Sequence, residues 1–458
     1  MAKYFLNTFV RLCNYLQEPC HVARFQNICG IKGTFPDKPT KADNQLSASG
    51  AAKGYPSLRN RAEAWQSGED ANSGRLGNGE SVPETSAAGD FASTQVNRVQ
   101  SGDGSGGSAG PAGAVNSINA RAKPLRRNSL TGDAGQEFIV QNKFLFYLFT
   151  FGTELGNEMF FIVFFPFLFW NVDALISRRL IVVWAWNLFV GQSTKDVVRW
   201  SRPASPPVVK VEVFYNSEYS MPSTHAMTGT AIPFCLFLLS YGRWQYPFVL
   251  GFSVALCWSV LVCVSRVYMG MHSILEVITG FLYSLLVLAF FHHALDKIDT
   301  FYMINPYAPL VIVLSHVSLG LVAFSLDSWS TSRGDTAQAL GTGVGAALAT
   351  HVNHQLGLLV DPPLSMLPLT LPLMSMTLVM HSLLRFLIGV AVLLITRMVM
   401  KAITIPFLCQ VFGLPSSDVR QARQHMKIEL PYRYIVYSVV GFNCVFLVPL
   451  LFSILNLA

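Results

Sequence analysis

After about residue 140 the chain is a succession of apolar runs, each close to the length of a bilayer crossing: 144–170, 179–195, 226–242, 247–264, 272–291, 307–326, 338–358, 374–397 and 434–456. A spanning helix needs about 20 mostly apolar residues, because lipid offers no partner to an unpaired backbone N–H or C=O. About nine such runs predict an all-α, polytopic transmembrane bundle. With 51% hydrophobic and only 13% charged residues, the chain is too apolar for an ordinary soluble domain. The run 338–358, "AQALGTGVGAALATHVNHQLG", is weakly hydrophobic and rich in small residues, so it is expected to pack against other helices rather than face lipid.

The part before residue 140 has a different solvent. Residues 36–133 are rich in Gly, Ser, Ala, Asn and Asp and cannot bury enough apolar surface to offset chain ordering, so a disordered linker is expected. Within it Ser129 follows paired arginines in "LRRNSL", which reads as a solvated basic stretch before it reads as a kinase site. Residues 1–35 carry a helix-like spacing of Leu, Phe and Val. They are expected to lie on a membrane surface or pack on the main domain, and lack the cleavage pattern of a signal peptide. The eight cysteines form no metal-ligand pattern. The net charge of +7 comes from basic clusters flanking apolar runs, which fits anionic lipid headgroups better than nucleic acid.

Polar residues inside a membrane bundle are costly, so those present are informative. Glu154, Asn157 and Glu158 interrupt the first run, where they either support a polar site or cap a bent helix. Arg385 is expected to pair inside the bundle or to snorkel. Three short stretches at the ends of runs gather catalytic residue types: "KDVVRWSRP" with Lys195 and Arg202, "MPSTHAM" with Ser223, Thr224 and His225, and "SRVYMGMHSILE" with Arg266, His272 and Glu276. Two runs separate His225 from His272, so the chain crosses and returns, and all three stretches can meet at one bilayer face. His272 and Glu276 are four apart at a helix start, a spacing that stacks one side chain above the other. A carboxylate there can accept the Nδ1 proton and leave Nε2 free as a nucleophile. Taken alone, the pair reads better as capping and dipole compensation. Three cations and a helix N-terminus in its company describe a phosphate pocket.

In order, K-x6-R-P (Lys195, Arg202, Pro203), P-S-x-H (Pro222, Ser223, His225) and S-R-x5-H (Ser265, Arg266, His272) resemble the three signature motifs of the type 2 phosphatidic acid phosphatase superfamily. "FGTELGNE", "DSWSTSRGDTA" and "ARQHMKIELPYRY" further resemble its branch acting on phosphorylated sphingoid bases, over about residue 126 to the C-terminus. Glu276 stands where that family usually carries Asp.

The resemblance implies a catalytic membrane core over 140–300, with additional transmembrane helices over 301–458. It implies phosphomonoester hydrolysis through a phosphohistidine, with His272 as nucleophile, Glu276 orienting it and His225 as general acid and base. Lys195, Arg202, Ser223, Thr224 and Arg266 would hold the phosphate, and no metal or other cofactor would be needed. The substrate implied is sphingosine 1-phosphate or dihydrosphingosine 1-phosphate, delivered from the bilayer. The alternatives are another membrane-delivered or sugar phosphate, or a nonenzymatic scaffold with this fold. Glu218 in "YNSEYS" is near enough to touch a substrate amine but is read as an ordinary loop carboxylate.

Counting runs puts the N-terminal tail, the three stretches and the basic segment 397–433 on one side, which the positive-inside rule would make cytosolic. The resemblance instead implies an active site facing the lumen of the endoplasmic reticulum, and that placement is preferred.

Overall fold

The computed structural model describes residues 1–33, 138–212, 218–327, 332–359, 361–372, 375–413 and 426–457. The linker expected over 36–133, with Ser129, lies outside them. The elements in order are α1 (Ala2–Gln17), α2 (Pro19–Ile28), β1 (Ile31–Gly33), β2 (Phe138–Val140), α3 (Lys143–Glu154), α4 (Glu158–Asn171), α5 (Ala174–Val198), α6 (Thr224–Ser240), α7 (Phe248–Tyr268), α8 (Ile274–Ile304), α9 (Ala308–Leu326), α10 (Ser332–Gln355), α11 (Met376–Phe412), α12 (Met426–Val445) and α13 (Leu447–Ile454).

Nine separate spans are not what the described residues contain. Six helices or helix pairs are long and apolar enough to cross a membrane: α5, α7, α8, α9, α11 and the stretch Lys427–Ile454. A seventh crossing exists if α3 and α4 count as one, since together they qualify but meet at a 64° bend. The expected run 226–242 is the shorter apolar helix α6, and 338–358 falls mostly within α10, which is not one of the six. The helix is nevertheless mostly buried, as its small residues predict. A Cβ on Gly345 would stand 1.9 Å from the Ser438 carbonyl oxygen, and one on Gly441 2.6 Å from that of Thr342. Backbones that close require glycine, and they let α10 and α12 run side by side in the same direction.

At the bend between α3 and α4 the polar residues cap the broken turn, and Asn157 and Glu158 also line the cavity described below. Asn157 caps α4 by accepting from the Met159 N–H at 3.2 Å, and its side-chain amide donates to Glu154 at 3.2 Å. Arg385 donates to the Leu457 carbonyl, so it pairs inside the bundle.

The core joins α4 and α5 (Phe161, Phe165, Leu180, Trp184) to α6 (Ala231, Ile232), α8 (Leu288, Phe291) and α10 (Ala339, Ala346). At the end of α5 remote from Lys195, Arg178 is 3% exposed and forked between Asp299 of α8 and Asp361, with nitrogen–oxygen distances of 2.9 and 2.6 Å. A guanidinium buried so deeply is tolerable only when its donors are filled. The pairing fixes α5 against α8 at that end.

The N-terminal segment packs on the main body. Gln26 of α2 is 1% exposed. It donates to the carbonyls of Val209 (2.7 Å) and Tyr268 (2.9 Å) and accepts from the Val209 N–H (3.0 Å). It thereby ties the loop after α5 to the turn after α7. β1 pairs antiparallel with β2, Ile31 opposite Val140. α1 keeps Leu6, Phe9, Leu12 and Tyr15 exposed, so the segment both packs and presents an apolar face.

Candidate active site

Four helix ends meet where the three polar stretches fall: the C-terminal ends of α5 and α7 and the N-terminal ends of α6 and α8. Helix capping explains the two starts. Ser223 is the N-cap of α6 and accepts from the Ala226 N–H at 3.4 Å. Ser273 and Glu276 form a capping box on α8, each side chain accepting from the other's backbone N–H. The two caps are joined, because the Ser223 N–H donates to the Glu276 carbonyl at 3.2 Å. Gly280 allows this approach: a Cβ there would lie 2.7 Å from the Ser223 carbonyl oxygen. On the far side, Thr153 of α3 donates to Ser265 of α7 at 3.1 Å.

His272, at the start of α8, is 1% exposed and Glu276 2%. The Glu276 Oε2 atom lies 3.1 Å from His272 Nδ1, 3.0 Å from the Ser273 N–H, and accepts from the Ser220 hydroxyl. An oxygen so placed favours the tautomer with hydrogen on Nδ1 and the lone pair on Nε2. Burial, then the charges of Arg202, Arg266 and Lys195, hold the His272 imidazole well below the usual histidine range, so it is neutral at physiological pH.

Lys195 (1% exposed) and Arg266 (2%) are buried at their helix ends. Lys195 donates to the Thr224 hydroxyl at 3.2 Å, and Arg202 to the Met271 carbonyl at 3.2 Å. All eight residues singled out from the motifs therefore belong to one neighbourhood: Lys195, Arg202, Ser223, Thr224, His225, Arg266, His272 and Glu276. The Ser223 hydroxyl is engaged as the cap, which leaves the first amides of α6 as the anion-facing donors of that turn.

Two carboxylates complete the arrangement: Glu218, read from the sequence as an ordinary loop carboxylate, and Glu212, which motif reading missed. Glu218 accepts from Lys195 at 2.5 Å and from Arg202 at 2.8 Å, and Glu212 from Arg266 at 2.9 Å. Burial opposes the charge on Glu218, but Lys195 and Arg202 outweigh it and hold the carboxyl down at about 2. Lys210, which donates to the Gly270 carbonyl, is brought down to about 7 by burial and by the charge of Arg202. The available signal was charge complementarity: the loop that follows Lys195 and Arg202 carries both acids.

A cavity of about 410 Å³ opens beside these groups. Glu218, Thr224 and His225 line it on the site side, and its other walls include Asn157 and Glu158 at the start of α4, Asp335 and Gln338 of α10, Arg397 and Lys401 of α11, and Tyr432, Arg433 and Tyr437 of α12. The helices after residue 300 thus contribute most of one side. A second recess of about 350 Å³ lies between the α1–α2 elbow (Asn14, Gln17, Glu18) and Trp200–Ala204, reaching Arg202 and Glu276. Among the described residues, one group of side chains has metal-ligand spacing, Glu18, Cys20 and His21 at that elbow, and it is largely exposed.

Comparison with known proteins identifies the family. The PAP2 superfamily profile matches residues 159–299. The chain is 49% identical to sphingosine-1-phosphate phosphatase 1 of Rattus norvegicus, over 97% of this chain and 97% of that protein. It is 48% identical to the Mus musculus protein of the same name, over 98% of each. It is 37% identical to sphingosine-1-phosphate phosphatase 2 of Homo sapiens, over 74% of this chain and 85% of that one. No solved structure matches the chain. Its motifs, its helical membrane architecture and its near full-length similarity to these relatives place the chain in the sphingosine-1-phosphate phosphatase family of the PAP2 superfamily.

Proposed function

We propose that the chain is a metal-independent lipid phosphate phosphatase of the endoplasmic reticulum membrane, with its site facing the lumen. It converts sphingosine 1-phosphate and dihydrosphingosine 1-phosphate to the free base and orthophosphate. The observation that carries this reading is the buried His272–Glu276 pair at the junction of helix ends that also carries Lys195, bonded to Thr224, Arg202, bonded to the Met271 carbonyl, and the buried Arg266.

The phosphate lies among those cations and the first amides of α6. His272 Nε2 attacks phosphorus in line; an N–P bond forms as the bond to the lipid oxygen breaks. Glu276 steadies the positive charge that develops on the ring. His225 gives its proton to the departing alkoxide, then takes one from the water that attacks the phosphohistidine, which returns His272 to its starting state. Lys195, Arg202 and Arg266 match the charge growing on the nonbridging oxygens, and being fixed beforehand they need no reorganisation as it grows. The core over 140–300 carries this chemistry, and the helices over 301–458 supply the cavity wall against which the lipid is held.

The test is release of labelled phosphate from sphingosine 1-phosphate by membranes holding the full chain, with chelator present, compared with His272→Ala at matched abundance. A glycerolipid phosphate and a sugar phosphate are assayed in parallel. The wild type is expected to turn over the sphingoid substrate best and His272→Ala to give only background. Undiminished turnover by His272→Ala would overturn the mechanism, and preference for either other class would overturn the substrate.

A further inference from the structure

Glu218 has no part in the chemistry above, yet it occupies the place a phosphate needs. Its two oxygens bridge Lys195 and Arg202 at 2.5 and 2.8 Å, so the two cations already share one anion. It also lines the cavity, with Thr224 and His225, so a phosphate that reaches Lys195 and Arg202 from the cavity competes with it for them. The surroundings are tight: Lys195 is 1% exposed, Arg202 9% and Glu218 21%. A carboxylate pushed off both cations with nothing to replace them would stand half-buried and unpaired next to a phosphate dianion. It would lose two charge-assisted bonds and gain a like-charge neighbour. Glu212, the partner of Arg266, is 35% exposed and can turn to water.

We propose that Glu218 is a specificity-determining residue that receives the substrate's ammonium: the incoming phosphate takes Lys195 and Arg202 from it, and it takes the amine of the same molecule in exchange. This rests on the sphingoid-base reading above, since only an aminated phosphomonoester brings both charges. In such a lipid the ammonium is on the carbon next to the phosphate-bearing one, about 4 to 5 Å from phosphorus by ordinary bond lengths. A carboxylate displaced by one phosphate radius is left within reach of that ammonium. The two ion pairs of Glu218 give way to two made by the phosphate and one between Glu218 and the ammonium, and no buried charge is left alone. A lipid phosphate whose nitrogen is acylated or missing supplies half of the exchange and leaves Glu218 opposing it.

The experiment compares wild type, Glu218→Gln and Glu218→Asp, as full chains in membranes, on sphingosine 1-phosphate and on its 2-desamino analogue of the same chain length. The wild type is expected to prefer the aminated substrate. In Glu218→Gln, KM for sphingosine 1-phosphate rises about tenfold, the loss expected for one charge-assisted contact. The desamino analogue improves, so the preference collapses from both sides, while Glu218→Asp keeps it. Inhibition by orthophosphate tightens in Glu218→Gln, because the anion site is vacated; a merely structural role would weaken it. Equal slowing of both substrates by Glu218→Gln, or weaker orthophosphate inhibition, would overturn the assignment. A wild type that hydrolyses both lipids equally refutes Glu218 as selector and leaves the phosphatase reading standing. A wild type that ignores sphingosine 1-phosphate while hydrolysing other phosphates refutes the substrate reading itself.

Discussion

Replacing Gly280 by alanine alters no group proposed to act on phosphate, yet it should disable the site. Gly280 lies on the first turns of α8, and its added Cβ would stand 2.7 Å from the Ser223 carbonyl oxygen and 3.3 Å from the Ala226 Cβ. Ordinary contact begins near 3.4 Å, and the atom in the way is backbone, which cannot rotate aside. The starts of α6 and α8 must therefore part by several tenths of an ångström. Those starts carry His225 and His272, and the Ser223–Glu276 backbone hydrogen bond of 3.2 Å spans the same gap. A misplacement of about 1 Å between reacting groups costs on the order of a hundredfold in rate, so a shift somewhat smaller should cost about tenfold or more in kcat. Overpacking of this kind lowers stability by about 1 to 3 kcal/mol, which a membrane bundle can survive. Gly320→Ala is the control, since its Cβ would meet nothing closer than 3.6 Å. The assay is kcat and KM on sphingosine 1-phosphate in membranes, with abundance and detergent-resistant folding matched. Wild-type kcat in Gly280→Ala would refute the claim that the spacing of these two helix ends sets the geometry.

Other outcomes follow from the same groups. Glu276→Gln keeps the capping box, because glutamine caps as well as glutamate, but removes the charge beside Nδ1; kcat should fall about a hundredfold or more with little loss of stability. Unchanged kcat would return Glu276 to a purely capping role. His272 is held well below the usual histidine range by burial and three cations, so its neutral, nucleophilic form should persist as pH falls through 6.5. The same depression means the unfolded chain binds a proton that the folded one refuses, so stability should also decline as pH drops below about 6.5. An acid limb of kcat centred at or above 6.5 would contradict this. Glycosylation acceptor sites inserted beside Lys210 and beside Lys427 should both be modified and one at Asn305–Ala308 should not; the reverse pattern would place the site on the cytosolic face.

The residues that motif spacing singled out were legible because their chemistry is local: a cap, an i,i+4 pair and a cation at a helix end are all fixed within a turn or two of the chain. The 338–358 run was legible for a similar reason, its glycines and alanines predicting the close contact later found at Gly345 and Gly441. The count of spans was not. Hydropathy cannot see the 64° bend between α3 and α4, which depends on how Asn157 and Glu154 satisfy the broken turn. Glu218 was underestimated because its significance depends on Lys195, 23 residues away, and no periodicity links a loop carboxylate to a helix end. The cavity wall from Asp335 to Tyr437 is less legible still, being assembled only when α10, α11 and α12 pack.

Charge balance explains why such a pocket can sit at a bilayer edge at all. Three buried cations without partners would be prohibitive in a low-dielectric setting. Lys195 and Arg202 share Glu218, Arg266 has Glu212, and Glu276 faces the neutral ring of His272. The free protein thus sets three carboxylates against three cations. A phosphate dianion brought in by a lipid upsets that balance unless a carboxylate leaves or a cation arrives with it. Glu212, at the rim, can leave for water; Glu218, inside, needs the arriving cation. The chemistry and the selectivity are then one electrostatic problem, and a lipid that carries an ammonium beside its phosphate solves both parts of it.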